Sequence, residues 1–144
     1  MSSLVGRVVT GTGDYGVVTL DTGRIAWVLE ANGCATSIFS NCLSVVSEES
    51  IDIQSILDQL KTLKQKGISS SKGQSLEVGN VVVIGGILGV VTKVNLSKFD
   101  GRTTIHLLEE CGETKSLSPD KLAKTTYTID IQPILDQLNS FWKK

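Results

Sequence analysis

The segment Ile51-Asp52-Ile53-Gln54-Ser55-Ile56-Leu57-Asp58-Gln59-Leu60 returns as Ile129-Asp130-Ile131-Gln132-Pro133-Ile134-Leu135-Asp136-Gln137-Leu138, with nine of ten positions identical. Ile53, Ile56, Leu57 and Leu60 follow the spacing of one helical face, and Ile131, Ile134, Leu135, Leu138 and Trp142 do the same. Each copy therefore predicts a short helix with one apolar stripe. Asp52 and Asp130 stand at N-cap positions, Pro133 falls in a first turn, and Gly67 after Lys61, Lys64 and Lys66 supplies a stop. Helices this short are marginal alone in water, so each stripe must pack on something. Four or five buried aliphatic side chains contribute about 6–15 kcal/mol before entropy is subtracted, too much to leave exposed.

The duplication extends upstream. Val5-Gly6-Arg7-Val8-Val9 matches Val78-Gly79-Asn80-Val81-Val82, and Gly16-Val17-Val18-Thr19 matches Gly89-Val90-Val91-Thr92, both at an offset of 73, whereas the helices are offset by 78. Five extra residues in the second copy fit most simply in the turn from Val94 to Asp100, with Thr22-Gly23-Arg24 matching Asp100-Gly101-Arg102. A hairpin loop lengthens cheaply, while a strand would lose register. β-Branched runs bounded by glycine predict strands at 6–10, 16–21, 24–30, 35–40 and 43–46, then at 80–84, 89–95, 103–109, 114–117 and 122–126. Five short strands bury a face best by curling into a small barrel. The expected organisation is residues 1–66 as copy one, 67–75 as a flexible linker spanning roughly 15–18 Å, and 76–144 as copy two.

The order Val-Gly-x-Val-Val, glycine-rich loop, Gly-Val-Val-Thr, turn, strand ending in Leu-Glu, glycine turn and final strand resembles the SH3-like small barrels of the KOW and Tudor type. The likeness covers both copies up to the helix. It implies a mainly β protein of two tandem SH3-like five-stranded barrels, each followed by an amphipathic helix. It also implies binding of proteins, RNA or modified side chains without catalysis.

The remaining residues narrow the function classes. With 144 residues, 40% hydrophobic, and charges of both signs mixed, the chain reads as a soluble globular protein. The longest apolar stretch, Val81 to Val94, is broken by Gly85, Gly86, Gly89, Thr92 and Lys93, and Met1 to Arg7 lacks the features of a signal peptide. A cytoplasmic location is expected. Cys34, Cys42 and Cys111 are an odd number without zinc-ligand spacing, and are expected as small core thiols with no metal. His106 is the only histidine, and its counterpart by the offset of 78 is Val28, so a catalytic triad has little to build on. The series Gly11-Thr12-Gly13-Asp14-Tyr15-Gly16 spells a dinucleotide motif, yet a strand follows it where a helix is required, so a hairpin turn is expected and no cofactor. Tyr15, Trp27 and Phe39 are candidates for an aromatic surface on one barrel.

These features together predict a non-enzymatic protein-binding or assembly module. Its association elements would be the helix stripes, Ile53, Ile56, Leu57 and Leu60 with Ile131, Ile134, Leu135, Leu138 and Trp142. They would pair with each other or grip equivalent sites on a partner. The alternative is a KOW-like RNA or nucleoprotein regulator using Lys61, Lys64, Lys66, Lys121 and Lys124. It is less favoured because residues 1–66 hold five basic and seven acidic residues and the rest nine and eight. A membrane partner is not expected.

Overall fold

The computed structural model describes residues 4–11, 15–66, 70–71 and 76–140. Its strands fall where β-branched runs meet glycine. In the first repeat they are β1 (Arg7–Thr10), β2 (Gly16–Asp21), β3 (Ile25–Glu30), β4 (Ala35–Phe39) and β5 (Ser44–Ser50), followed by helix α1 (Gln54–Gln65). The segment before the second repeat contributes β6 (Ser70–Ser71). The second repeat has β7 (Asn80–Ile84), β8 (Ile87–Leu96), β9 (Thr103–Glu109), β10 (Thr114–Leu117), β11 (Ala123–Thr128) and helix α2 (Gln132–Ser140). Every pairing is antiparallel, in the orders β4-β3-β2-β1-β5 and β10-β9-β8-β7-β11-β6. Among the described residues no helix is long and apolar enough to cross a membrane. Gly67, residues 12–14 of the glycine series, Trp142 and Lys143-Lys144 lie outside the described residues.

An aspartate bonds the start of each helix, although the N-cap of α1 is Ile53, one residue after the expected Asp52. The Ser55 N–H donates to Asp52 Oδ1 at 3.1 Å, and the Gln132 N–H to Asp130 Oδ1 at 3.1 Å. On the outer face, Gln54 Nε2 donates to Asp58 Oδ1 and Gln132 Nε2 to Asp136 Oδ1, each at 2.9 Å. Such i,i+4 pairs stabilise a helix by a few tenths of a kcal/mol. They give part of the polar identity between the two helices a local cause.

The apolar stripes enter one core that the two repeats share. It joins Val8, Val17, Leu29, Ile51, Ile53, Ile56, Leu57 and Leu60 to their counterparts Val81, Val90, Leu108, Ile129, Ile131, Ile134, Leu135 and Leu138. Each helix also reaches over the other repeat. Lys64 Nζ meets Glu110 Oε1 at 2.8 Å, and Asn139 Nδ2 donates to the Ala31 carbonyl at 3.3 Å. Smaller clusters stay private to each sheet: Val9, Val18, Ala26 and Val28 in the first, Val82, Val91, Ile105, Leu107 and Leu122 in the second.

A second set of reciprocal contacts locks the sheets. The register slips between Val18 and Leu20 on β2, and between Val91 and Lys93 on β8, so each strand bulges at a threonine. The Thr19 hydroxyl donates to the Gly112 carbonyl at 2.6 Å, and the Thr92 hydroxyl to the Gly33 carbonyl at 2.7 Å. Gly33 and Gly112 have φ of +90° and +98°, and a Cβ on either would strike the carbonyl oxygen of the opposing threonine. Only glycine permits both the backbone conformation and the approach.

The expected closed barrels are corrected by these pairings. Among the described residues β4 bonds only to β3 and β5 only to β1, so the first ladder ends at both strands; in the second, β10 ends one side and β6 the other. The outer edge of β4 is turned instead to the other repeat. The Thr114 hydroxyl donates to the Thr36 carbonyl at 3.1 Å, and the Ala35 N–H donates to His106 Nδ1 at 3.1 Å. The position of the length change is corrected as well. Val18 faces Val28 while Val91 faces Leu107, so His106 occupies the place of Trp27, not of Val28. Six residues are added between β8 and β9, and one is dropped in the last strand, where Val9 faces Val45 and Arg7 faces Ser50 but Val82 faces Lys124 and Asn80 faces Thr128.

Because both stripes lie in one core, Leu57→Ala and Leu135→Ala are each expected to destabilise the whole chain by about 2–5 kcal/mol. Urea unfolding followed by circular dichroism and by the fluorescence of Trp27 and Trp142, one in each repeat, should give one coincident transition in each variant. Two separated transitions would mean that the repeats fold independently.

Candidate functional site

A cluster of titratable side chains sits at the seam between the repeats. His106 on β9 is half-buried, and its Nδ1 accepts the Ala35 N–H, which places its proton on Nε2. Burial first, then the Lys93 charge, lower its pKa from the ordinary 6.5, while Glu30 opposes them. Lys93 Nζ lies 3.6 Å from Cys34 Sγ. The imidazole nitrogen facing Ala35 is engaged by backbone, so its visible task is to join β9 to the start of β4.

Glu109 closes β9 with its carboxylate buried. Oε1 is 3.1 Å from Lys115 Nζ, and Oε2 has no partner among the described residues. Glu109, Cys111 and Glu113 bring one ligand atom each within 4.8 Å of one another, a geometry open to a cation. Lys115 already lies in it, 3.7 Å from Glu113 Oε2, and its pKa is raised above 10.5, chiefly by the hydrogen bond to Glu109. The ammonium thus balances the buried charge. The sequence signal for this pair was the Leu-Glu strand end followed by Lys115 on the neighbouring strand, legible only once β9 and β10 are known to pair.

The helix residues expected to bind a partner are placed in the shared core. Ile53, Ile56, Leu57, Leu60, Ile131, Ile134, Leu135 and Leu138 are all buried, so their partner surface is the other repeat of the same chain. The aromatic candidates are not gathered into a cage. Tyr15 packs at the shared core with its carbonyl on the Ala31 N–H, Trp27 faces Ser37, and Phe39 faces Ile25 at the far end of β3. Ala31 and Ile25 are six residues apart in the sequence, about 20 Å of strand, so Tyr15 and Phe39 cannot enclose one ligand.

The expected core thiols are also corrected. Cys42 and Cys111 are exposed and Cys34 is half-buried, because Cys34 and Cys111 stand in the turns that follow β3 and β9 and Cys42 in the tight turn after β4. All three are free. The lysines proposed for nucleic acid are divided among α1 and its C-cap Lys66, the turn after β10, and β11, and Lys64 is paired with Glu110.

The exposed apolar groups were not singled out by periodicity, apart from Phe39. Phe39 is 59% exposed, with Ile25, Ser37 and Ile38 lining a cavity of about 320 Å³ beside it and Gly23, Arg24, Asn41 and Cys42 one of about 500 Å³. The hairpin tip there is held by Asp21, whose Oδ1 accepts the Gly23 N–H at 2.8 Å and the Ser40 hydroxyl at 2.9 Å. In the second repeat, the six added residues lengthen the β8–β9 hairpin into an arm. Leu96 on it is 63% exposed and Phe99 wholly so. Val94 and Leu96, two apart on β8, share one face.

Two outcomes test the seam. An imidazole whose pKa falls on folding binds its proton better in the unfolded chain, so stability is full above about pH 6.5 and declines as pH drops toward the lower folded value. His106→Gln should flatten that decline in urea titrations run from pH 7.5 to 5. Lys115→Ala should cost about 1–3 kcal/mol by leaving Glu109 buried without its counter-charge, with solvent at Lys115 moderating the loss. Adding Glu109→Gln to it should restore part of the stability in the same assay. No family model matches the chain, and no curated protein is similar to it.

Proposed function

We propose that the chain is a non-enzymatic cytoplasmic protein-binding module, in which the two repeats form a rigid spacer and present an apolar contact at the hairpin end of each. The observation that carries this reading is the exposure of Phe39 in the first repeat and of Leu96 and Phe99 in the second. The two repeats reach the same end by different means. Phe39 comes from β4, beside the short β2–β3 hairpin, whereas its counterpart in the second repeat is Ser118, and there the lengthened hairpin supplies the apolar residues. Leaving a phenylalanine in water forgoes about 1.5–3 kcal/mol of burial, which a docked partner would recover. With the described stripe residues sealed in the core, these end groups are the three most exposed large apolar side chains among the described residues. Aromatic side chains in such positions are the usual anchors of protein interfaces.

A photoreactive phenylalanine analogue at position 99, in cells producing the chain, should yield a discrete protein adduct, and the same group at Gln137, exposed on α2 away from the hairpin ends, should not. Phe39→Ser and Phe99→Ser should each leave the circular dichroism spectrum unchanged and weaken capture of that protein, and the double variant should weaken it far more through lost avidity. An adduct destroyed by nuclease would transfer the surface to nucleic acid.

A further inference from the structure

The last strands of the two repeats differ at their outer edges. Ser70 and Ser71, as β6, pair antiparallel with Thr125 and Lys124 of β11. No strand among the described residues pairs with the outer edge of β5. The register against the first strand of each repeat sets Val45 at the place of Lys124, so Val45 and Val46 are the positions that β6 would cover. They are 49% and 40% exposed, while Thr125 beneath its cover is 3% exposed.

The other ends of the sheets are closed in ways that β5 is not. β4 and β10 are joined across the seam by the Thr114–Thr36 bond, and β6 is only two residues long. β5 runs for seven residues, Ser44-Val45-Val46-Ser47-Glu48-Glu49-Ser50, without proline or lysine to blunt it. A strand of that length with one unpaired edge offers a row of backbone donors and acceptors, and exposed valines beside them. Addition of an extended segment satisfies both.

We propose that the outer edge of β5 docks an extended, serine-rich, basic segment of a partner protein as a sixth antiparallel strand. The chain itself supplies the template for this occupant. On β11 the covering strand is a serine pair, and it lies in the sequence Ile68-Ser69-Ser70-Ser71-Lys72. A segment of that composition, serines beside a lysine, is opposite in charge to a strand whose sequence holds Glu48 and Glu49 and no Lys or Arg. The site is distinct from the apolar ends, so either can fail without the other.

The probe is a fluorescent peptide with the sequence of residues 66–76, titrated into the full chain by anisotropy, with amide hydrogen exchange measured on the unaltered protein. Saturable binding is expected, together with slowed exchange at whichever of Val45 and Val46 turns its N–H away from β1. A peptide N-methylated at both residues corresponding to Ser70 and Ser71, which removes the ladder donor whichever of the two faces β5, should bind about tenfold more weakly. Unchanged exchange in β5, protection confined to β11, or equal binding of the N-methylated peptide would overturn the proposal. Protection of the outward-facing amide of this pair without peptide, in a chain that light scattering shows to be dimeric, would assign the edge to a second copy and overturn it as well.

Discussion

The burial of both helix stripes in one core is the constraint on which the rest of the structure depends. A repeat of about 65 residues is near the size at which a single core barely offsets chain entropy. Joining two such repeats through Leu57, Leu60, Leu135, Leu138 and their isoleucine neighbours places the most apolar surfaces of each against the other. The thermodynamic consequence is coupling. A cavity opened at one stripe is lined by residues of both repeats, so neither repeat holds its stability privately.

That coupling requires the sheets to approach closely and in fixed register, which the bulged threonines and turn glycines provide. Thr19 and Thr92 owe their position to an extra residue in β2 and β8, and each meets a glycine that has no side chain to hold it off. Closure of either sheet into a barrel would compete with this arrangement. β4 cannot pair with β5 across a barrel while the backbone at Ala35 and Thr36 is bonded to His106 and Thr114. The open sheets thus follow from the seam, although the strand pattern inside each repeat is that expected of five consecutive antiparallel strands.

Local periodicity made the elements legible in the sequence, and non-local contact decided what remained hidden. The period of the Ile53–Leu60 and Ile131–Leu138 segments fixes helices with one apolar face, and Val-Val runs between glycines fix strands, because each signal is a property of neighbouring residues. Whether the stripe lies on its own sheet, across the seam or on a partner is not such a property. The length change was misplaced for a related reason: six residues gained near Leu96 and one lost before Thr128 leave only a net five visible, so the match of His106 drifts from Trp27 to Val28. Cys34 and Cys111 read as core thiols by composition, yet they occupy the turns where the repeats touch. Tyr15 and Phe39 read as neighbours because their strands adjoin, and the length of β3 separates them.

Sharing a core also limits where two duplicated repeats can differ. Every stripe residue of α1 lies in the same cluster as its counterpart in α2, so a change of volume on one side must be absorbed by both. The Gln54–Asp58 and Gln132–Asp136 bonds add a local reason for identity on the outer face. Away from the seam no such reciprocity operates. There Phe39 stands where the other repeat has Ser118, Val45 stands where it has Lys124, and the hairpin carrying Leu96 and Phe99 has no equal in the first repeat. A symmetric core thereby supports an asymmetric surface. The stripe packing and the bulged-threonine contacts occur twice, and the surface features that occur once, on a scaffold built to repeat itself, are where recognition of something outside the chain has room to reside.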